Sequence, residues 1–167
     1  MVIITVPLVL ACARSDRMAH TSAQEARKVV DTWYAAWALH EPERIDGIFT
    51  DDGVYEDVAG GAVRRGKGEI KQLLRAAFAF APDFRVTLRS LAVSGDTATT
   101  EWEIEGTQTA PTGVGSIGQL PATGRTFRLR GASVLLLGSG RIARVTDYYD
   151  MATLWRQLGS TFEAPKP

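Results

Sequence analysis

The sequence predicts a single α+β domain in which helices come first and a mostly antiparallel sheet follows. Apolar residues recur at helical spacing in segments 22–39 and 68–80, and then the period switches to two. The period-two segments follow one another closely, as neighbouring antiparallel strands do, at 84–93, 97–109, 125–137 and 141–149. The chain has 167 residues, which is long enough to bury a core and an internal pocket. Its composition, 45% hydrophobic and 23% charged, is that of an ordinary globular domain.

The charge balance argues against two classes of partner. Lys plus Arg and Asp plus Glu both number 19, so the formal net charge is zero. No basic stripe of the kind that binds nucleic acid is present in the sequence. No acidic or basic tail points to an electrostatic partner either.

The N-terminus is predicted to be separate from the domain. Residues 1–12 are apolar and too short to span a membrane, which is typical of a signal-peptide core, and they end in the sole cysteine, Cys12. The sequence VLAC resembles the lipobox of bacterial lipoproteins, in which the cysteine is lipidated after cleavage. Residues 13–21 would then be a polar tether, 22–159 the folded domain and 160–167 a flexible tail.

This arrangement predicts a lipid-anchored or exported protein of the bacterial cell envelope, attached to the membrane through Cys12. A single cysteine cannot form an internal disulfide, so an anchoring role fits it. The alternative is a mis-assigned start or a flexible apolar N-terminus on a cytoplasmic protein, because no Lys or Arg precedes the apolar run.

The first helix, residues 22–39, begins at a capping box. Ser22 can accept a hydrogen bond from the backbone three residues on, while the side chain of Glu25 reaches back. The apolar face of this helix is rich in large aromatic residues. It consists of Ala26, Val29, Val30, Trp33, Tyr34 and Trp37.

Shorter elements are predicted between this helix and the sheet. Pro42 starts a second, short helix, and the sequence TDDG at 50–53 is typical of a turn. A short strand at 54–58 leads into a glycine-rich connection at 59–68, whose spacing matches neither a P-loop nor a dinucleotide fingerprint. The third helix, 68–80, ends at the sequence APD.

Alternation on two strands predicts a charged surface. Glu101, Glu103 and Glu105 share one face of their strand, and Arg128 and Arg130 share one face of the next. If these strands pair antiparallel, the charges form a cross-strand ladder, which is a structural role and not a catalytic one.

Two aspartates three residues apart have different predicted roles. Asp150 precedes a final short helix at 151–158 and is well placed as its N-cap. Asp147 lies on the strand between Val145 and Tyr149 on the same face, although carboxylates are disfavoured in strands. Asp147 is therefore either a catalytic acid or a structural acid that is exposed or satisfied by a nearby hydroxyl or amide.

Other catalytic groups are eliminated by spacing. Neither His20 nor His40 stands near a Cys, Asp or Glu at metal-ligand spacing, so no metal site is expected. No Cys–His pair and no Gly-x-Ser-x-Gly sequence occurs. If the protein is catalytic, a carboxylate in an apolar cavity is the group expected to act, because burial raises its pKa towards neutrality.

The chain from Ala26 to Gly159 resembles the SnoaL-like polyketide cyclase family of the nuclear transport factor 2-like superfamily. The resemblance lies in FTDDGVYEDVAGG, RGKGEIKQLLRAAFAFAPDFRV, EWEIEGTQTA, LPATGRTFRLRGASVL and GRIARVTDYYDMATLWRQLG. It implies a cone, in which a strongly curved, mostly antiparallel sheet wraps around the N-terminal helices and encloses an apolar pocket. It also implies that no cofactor or metal is needed, and it suggests a homodimer.

The resemblance implies a role for Asp147 as well. Family members catalyse aldol ring closure of polyketides with an aspartate of the last strand as acid/base. Limonene epoxide hydrolases are similar, with a catalytic aspartate at the position of Asp147 and an Arg-x-Asp partner where this chain reads EWEIE. Gln108 stands where members often have a histidine.

Two functions are expected, with a third kept open. The first is a cofactor-free cyclase or isomerase acting on an apolar, carbonyl-type small molecule, with Asp147 as acid/base. The second is a non-catalytic envelope module that binds an apolar small ligand, and the third is an epoxide hydrolase. The predicted substrate-binding residues are Gln108, Tyr149, Trp33, Trp37, Phe78 and Trp102.

Overall fold

Three helices and a short 3-10 helix pack against a six-stranded sheet in the computed structural model, which describes residues 21–113 and 119–160. The α-helices are α1 (Ala23–Ala38), α2 (Gly66–Phe80) and α3 (Met151–Gln157), and the 3-10 helix is Pro42–Gly47. The strands are β1 (Phe49–Asp57), β2 (Ala62–Arg65), β3 (Arg85–Ser94), β4 (Thr97–Thr107), β5 (Thr112–Gly113), β6 (Gln119–Leu120), β7 (Thr126–Gly138) and β8 (Arg141–Tyr149). The predicted signal peptide with Cys12, residues 13–20 of the predicted tether and residues 161–167 of the predicted tail lie outside the described residues.

The main sheet is curved and unclosed, with the strand order β2-β1-β8-β7-β4-β3. All of its neighbouring strands are antiparallel except β1 and β8, which run parallel. A separate two-stranded ribbon is formed by β5 and β6. The α+β class and the mostly antiparallel sheet predicted from the sequence are confirmed.

The N-terminal helix starts as its sequence predicts. The Ser22 side chain accepts from the backbone N–H of Glu25, and the Glu25 carboxylate accepts from the backbone N–H of Ser22. These two bonds satisfy donors that a helix terminus otherwise leaves free. The apolar face of α1 then lies in the core, with Trp33 in edge contact with Phe49.

Two local predictions before α2 are wrong. Residues 50–53, predicted as a turn, belong to β1, and a register irregularity between Phe49 and Val54 carries the strand through them. Gly53 is buried at this irregularity, where a Cβ would lie 2.8 Å from the Phe49 ring. Residues 62–65, predicted as part of a loop, form β2, because β1 offers them a free edge with which to pair.

The predicted ladder of charges is confirmed on the outer surface of the sheet. Glu103 lies opposite Arg130 in the β4–β7 register and is bonded to Arg128, to Arg130 at 3.2 Å and to Arg89 at 2.8 Å. The hydrogen bonds from these guanidinium groups, led by that of Arg128, lower the pKa of Glu103 to about 2. This cluster is separate from the interior, where the aromatic residues of α1 pack.

The described helices give no membrane-crossing candidate. Within residues 21–113 and 119–160, none combines the length and the apolar character that a bilayer span requires.

Candidate functional site

A cavity of about 290 Å³ lies between the helices and the sheet. Trp33 and Trp37 of α1, Leu73 of α2 and Trp155 of α3 contribute apolar walls, together with Trp102 from the sheet. A mostly apolar cavity with a few polar groups is typical of small-molecule sites. The polar and charged side chains of its wall lie largely on the strands, at Asp57, Arg64, Ser133, Asp147 and Tyr149.

Asp147 is buried in the wall of this cavity and accepts two hydrogen bonds. Its Oδ1 accepts from the Ser133 hydroxyl at 2.5 Å and its Oδ2 from the Tyr55 hydroxyl at 2.6 Å. The Ser133 oxygen in turn accepts from the indole N–H of Trp102 at 2.8 Å. This chain of bonds fixes the carboxyl group, because each of its oxygens has a donor on a different neighbouring strand.

The pairing of strands explains why these groups meet. Ser133 lies directly opposite Asp147 in the antiparallel pair β7–β8, and Asp57 lies beside it in the parallel pair β1–β8. Side chains at register partners point to the same face of a sheet. Tyr55, two residues before Asp57, therefore also faces inwards and reaches the Asp147 carboxylate.

The surroundings of Asp147 raise its pKa from 3.8 to about 6. Burial is the largest cause, since an apolar environment penalises the charged form. The hydrogen bonds from Ser133 and Tyr55 oppose this shift, and the negative charge of Asp57 adds to it. At neutral pH the ionised and protonated forms of Asp147 are thus close in free energy, as an acid/base catalyst requires.

Tyr149 and Asp57 form a second polar pair in the cavity wall. The Tyr149 hydroxyl donates to Asp57 Oδ2 at 2.9 Å, and the backbone N–H of Gly60 donates to Asp57 Oδ1 at 2.7 Å. Burial, followed by the charge of Asp57, raises the pKa of Tyr149 above its ordinary value. Burial likewise raises the pKa of Tyr55, so both phenols remain donors at neutral pH.

Five of the residues predicted for the site line this cavity: Asp147, Tyr149, Trp33, Trp37 and Trp102. The prediction that Asp147 and Tyr149 share a strand face agrees with their positions. The glutamates of the EWEIE segment, by contrast, include Glu103, which lies in the outer charge cluster. The side chains bonded to Asp147 are hydroxyl groups, with neither an arginine nor a second acid among them.

Two predicted substrate-binding residues are not among the described residues that line the cavity. The Phe78 ring stacks on His40 with a centroid distance of 4.3 Å and touches Trp37 by its edge. The Gln108 amide is buried but donates to the carbonyls of Ala110 and Pro121, and its oxygen accepts from Thr123. Gln108 thereby holds the loop that follows β4.

Asp150 has the structural role that its position predicts. Its Oδ1 accepts from the backbone N–H of Thr153 at 3.0 Å, so it caps α3. The side chain is exposed, and hydrogen bonds from Thr153 lower the pKa of Asp150. Of the two aspartates, Asp147 is the one that faces the cavity.

Four polar residues that line the cavity were not predicted from the sequence: Tyr55, Asp57, Arg64 and Ser133. For three of them a signal existed. Ser133 shares a strand face with apolar neighbours, and Tyr55 and Asp57 share a face within the short strand pattern VYEDV. The strand that carries Arg64 was predicted as a loop, so no face was assigned to it.

No group of three or more His, Cys, Asp or Glu side chains in the described part of the chain is arranged to hold a metal ion. The chemistry that this cavity wall offers is that of a carboxyl group near its pKa, with phenol and hydroxyl donors beside it.

The pKa of Asp147 predicts a pH-dependent stability. Because the folded-state pKa is about 6 and the ordinary value is 3.8, the folded protein binds more protons than the unfolded chain between these values. The contribution of Asp147 to the free energy of unfolding should therefore rise as the pH falls from 7 to 4, by up to about 3 kcal/mol.

Urea unfolding of the wild type and of Asp147→Asn at pH 7.5 and 4.5 measures this contribution. The Asn variant is expected to be the more stable at pH 7.5, and its advantage should shrink at pH 4.5. Groups common to both proteins, such as Glu103, cancel in the difference. An advantage that does not change with pH would show that the carboxyl of Asp147 titrates normally.

A search for similarity places these observations among known proteins. The family model described as a SnoaL-like domain matches residues 30–145, most of the chain. No curated protein matches the chain in sequence.

Solved structures share the fold. The structure of TsrD from Streptomyces laurentii is 26% identical with a TM-score of 0.72, covering 83% of this chain and 97% of that one. A Catenulispora acidiphila protein with a ketosteroid isomerase-like fold, in complex with trimethylamine, is 25% identical, TM-score 0.66, with coverages of 79% and 92%. An LEH-like epoxide hydrolase of M. tuberculosis is 22% identical, TM-score 0.62, with coverages of 81% and 90%.

Proposed function

The chain belongs to the SnoaL-like domain family, and we propose that it is a cofactor-free enzyme in which Asp147 moves a proton at a carbon next to a carbonyl group. Its substrate would be an apolar small molecule held between the tryptophans of the cavity. Ring closure or isomerisation is the reaction type that fits this chemistry. The observation that carries the proposal is Asp147, buried in an apolar cavity with its pKa raised to about 6.

The proposed step balances within the substrate and Asp147. The ionised carboxylate takes a proton from the carbon next to the carbonyl, and the electron pair of the broken C–H bond passes to the carbonyl oxygen as an enolate. In an isomerisation the protonated Asp147 returns the proton to another carbon. In a ring closure the enolate carbon attacks a second carbonyl of the same molecule, and Asp147 protonates the alkoxide that results.

The neighbours of Asp147 suit such a cycle. Ser133 and Tyr55 can donate to the ionised form and hold its direction, while burial keeps its pKa near the working pH. Tyr149 lies beside them and would orient the carbonyl oxygen by turning its single O–H from Asp57 to the substrate. A bound apolar substrate would displace water from the cavity, which would strengthen these interactions.

Proton exchange in heavy water tests the proposal without the natural substrate. We would incubate the protein in D₂O with 2-tetralone, an apolar ketone, and follow loss of the signals next to its carbonyl by NMR. Wild-type protein should accelerate exchange over buffer, with a rate that falls below pH 6 as Asp147 becomes protonated. Exchange equal to that in buffer for tetralone and for a panel of related ketones would remove the support for carbon acid chemistry.

A second candidate function is a binding module for an apolar ligand at the cell envelope. The observation that favours it is that both oxygens of Asp147 already accept hydrogen bonds from the protein, as in a satisfied structural acid. A thermal-shift screen of aromatic ketones, epoxides and lipids separates the two functions. Ligands that stabilise the protein but undergo no exchange or turnover would favour the module. We retain lipidation at Cys12 and an envelope location as part of this proposal.

We also propose that the protein is a homodimer joined through the outer face of its sheet. The outward residues of β7 are Thr126, Arg128, Arg130, Ala132, Val134 and the exposed Leu136. Sedimentation velocity at micromolar concentration should give a dimer. Leu136→Lys should weaken it, whereas Val63→Lys, an equally exposed site on the edge strand β2, should not. A monomeric wild type would refute this proposal.

A further inference from the structure

The cavity wall contains one basic side chain among the described residues, Arg64. It lies on the edge strand β2 directly opposite Tyr55, the residue that donates to Asp147. Register partners face the same side of a sheet, so the strand pairing directs the half-buried Arg64 towards the interior. Its neighbour Arg65 points the other way and is exposed.

Arg64 has few partners among the described residues. Its Nη1 donates to the carbonyl of Val63 at 3.3 Å, and no described acid lies within ion-pair distance of it. A guanidinium group carries five N–H donors. Two other cations of the fold are paired, Lys67 with Asp51 at 2.7 Å and Arg144 with Glu56.

The acids of the same wall are already engaged. Both oxygens of Asp147 accept from Tyr55 and Ser133, and both oxygens of Asp57 accept from Tyr149 and Gly60. These carboxylates are held by neutral donors and do not pair with the guanidinium. The wall therefore offers a cation whose donors are largely unused by the described residues.

We propose that Arg64 binds a carboxylate of the substrate, so that the cavity takes apolar molecules that carry an acid group at one end. The inference rests on the proposed function, because it names the substrate class of the same cavity. A planar guanidinium matches a carboxylate with two parallel hydrogen bonds. The backbones of β2 and β8 are two strand spacings apart, about 10 Å. The carboxylate and the reacting carbon thus belong to different ends of the molecule.

Calorimetric titration with a matched pair of probes tests this assignment. The probes are 2-naphthylacetate and its neutral analogue 2-naphthylacetamide, and the proteins are wild type, Arg64→Gln, Arg64→Lys and Arg65→Gln. Arg64→Gln should weaken binding of the acid by about 10- to 100-fold, the loss of a charge-assisted pair, and leave the amide unchanged. The affinity of Arg64→Lys for the acid should lie between those of Arg64→Gln and the wild type. Arg65→Gln loses the same charge on the outward side of β2, and its affinity should match that of the wild type.

The remaining outcomes overturn the assignment. Equal losses for the acid and the amide would mean that Arg64→Gln merely alters the cavity, and an equal loss in Arg65→Gln would mean a general effect of charge. No binding of the acid to the wild type at millimolar concentration would also refute it. Asp147→Asn should still bind the acid, because Arg64 is unchanged in it. Failure of the proposed chemistry at Asp147 is therefore distinguishable from failure of carboxylate recognition by Arg64.

Discussion

Asp147→Asn is expected to lower the rate of 2-tetralone exchange by about 10²- to 10⁴-fold, the usual contribution of general acid/base catalysis. An amide cannot take up and return the proton, although it keeps the shape of the carboxyl group. Its oxygen can accept from Ser133 and its NH₂ can donate to the Tyr55 oxygen, so the polar contacts persist. Circular dichroism should show an unchanged fold, and NMR exchange rates measure the loss.

Asp150→Asn is the matched control for this experiment. Asp150 is exposed and caps α3 through the backbone N–H of Thr153, and Asn caps helices nearly as well as Asp. Both the rate and the stability should stay near wild type. Equal losses in both variants would argue that neither aspartate has a distinct role, and full activity in Asp147→Asn would favour the ligand-binding module.

The two aspartates could be separated from the sequence because local patterns determine both of their roles. Alternation along β8 places Asp147 with Val145 on the inner face, and the helix pattern after Asp150 identifies it as an N-cap. The capping box at Ser22 was readable in the same way, since its bonds join residues three apart. Each of these inferences depends on contacts within one element.

The partners of Asp147 depend on contacts between distant segments. Tyr55 precedes it by 92 residues and Ser133 by 14, and both reach it only because of the register in which β1 and β7 pair with β8. Periodicity identifies a buried face but not the register between strands. The sequence could therefore predict that Asp147 is a site residue, but it could not predict which side chains are hydrogen-bonded to it.

Phe78 and Gln108 illustrate a related difficulty. By its spacing, each of them lies on the same face of its element as apolar residues, which predicts that it points inwards. The inward face of an element, however, contacts the packed core at some positions and the open cavity at others. Phe78 packs against Trp37 and His40, and Gln108, one residue past β4, bonds to the loop that follows it. Which inward residues border empty space follows from how the helices and the sheet are assembled.

The tryptophan beside the Asp147 group depends on a glycine across the strand pair. Gly131 of β7 lies directly opposite Trp102 of β4. A Cβ on Gly131 would lie 2.3 Å from the Trp102 ring and 2.7 Å from the backbone oxygen of Tyr148. The ring position matters for the site because the Trp102 indole donates to Ser133, which donates to Asp147.

Gly131→Ala is expected to lower the free energy of unfolding by about 3 kcal/mol, the upper end of overpacking, since the Tyr148 carbonyl belongs to the neighbouring strand and cannot move away. For a protein of this size the Tm should fall by about 6–12 °C. Gly138→Ala on the same strand is the control, because its Cβ would meet only Ala143 at 3.9 Å. There the Tm should stay unchanged or rise slightly, as the unfolded chain loses freedom. Differential scanning calorimetry measures both Tm values. If Gly131→Ala keeps the wild-type Tm, the Trp102 ring can leave its position at no cost. Its bond to Ser133 would then not hold the Asp147 group in place.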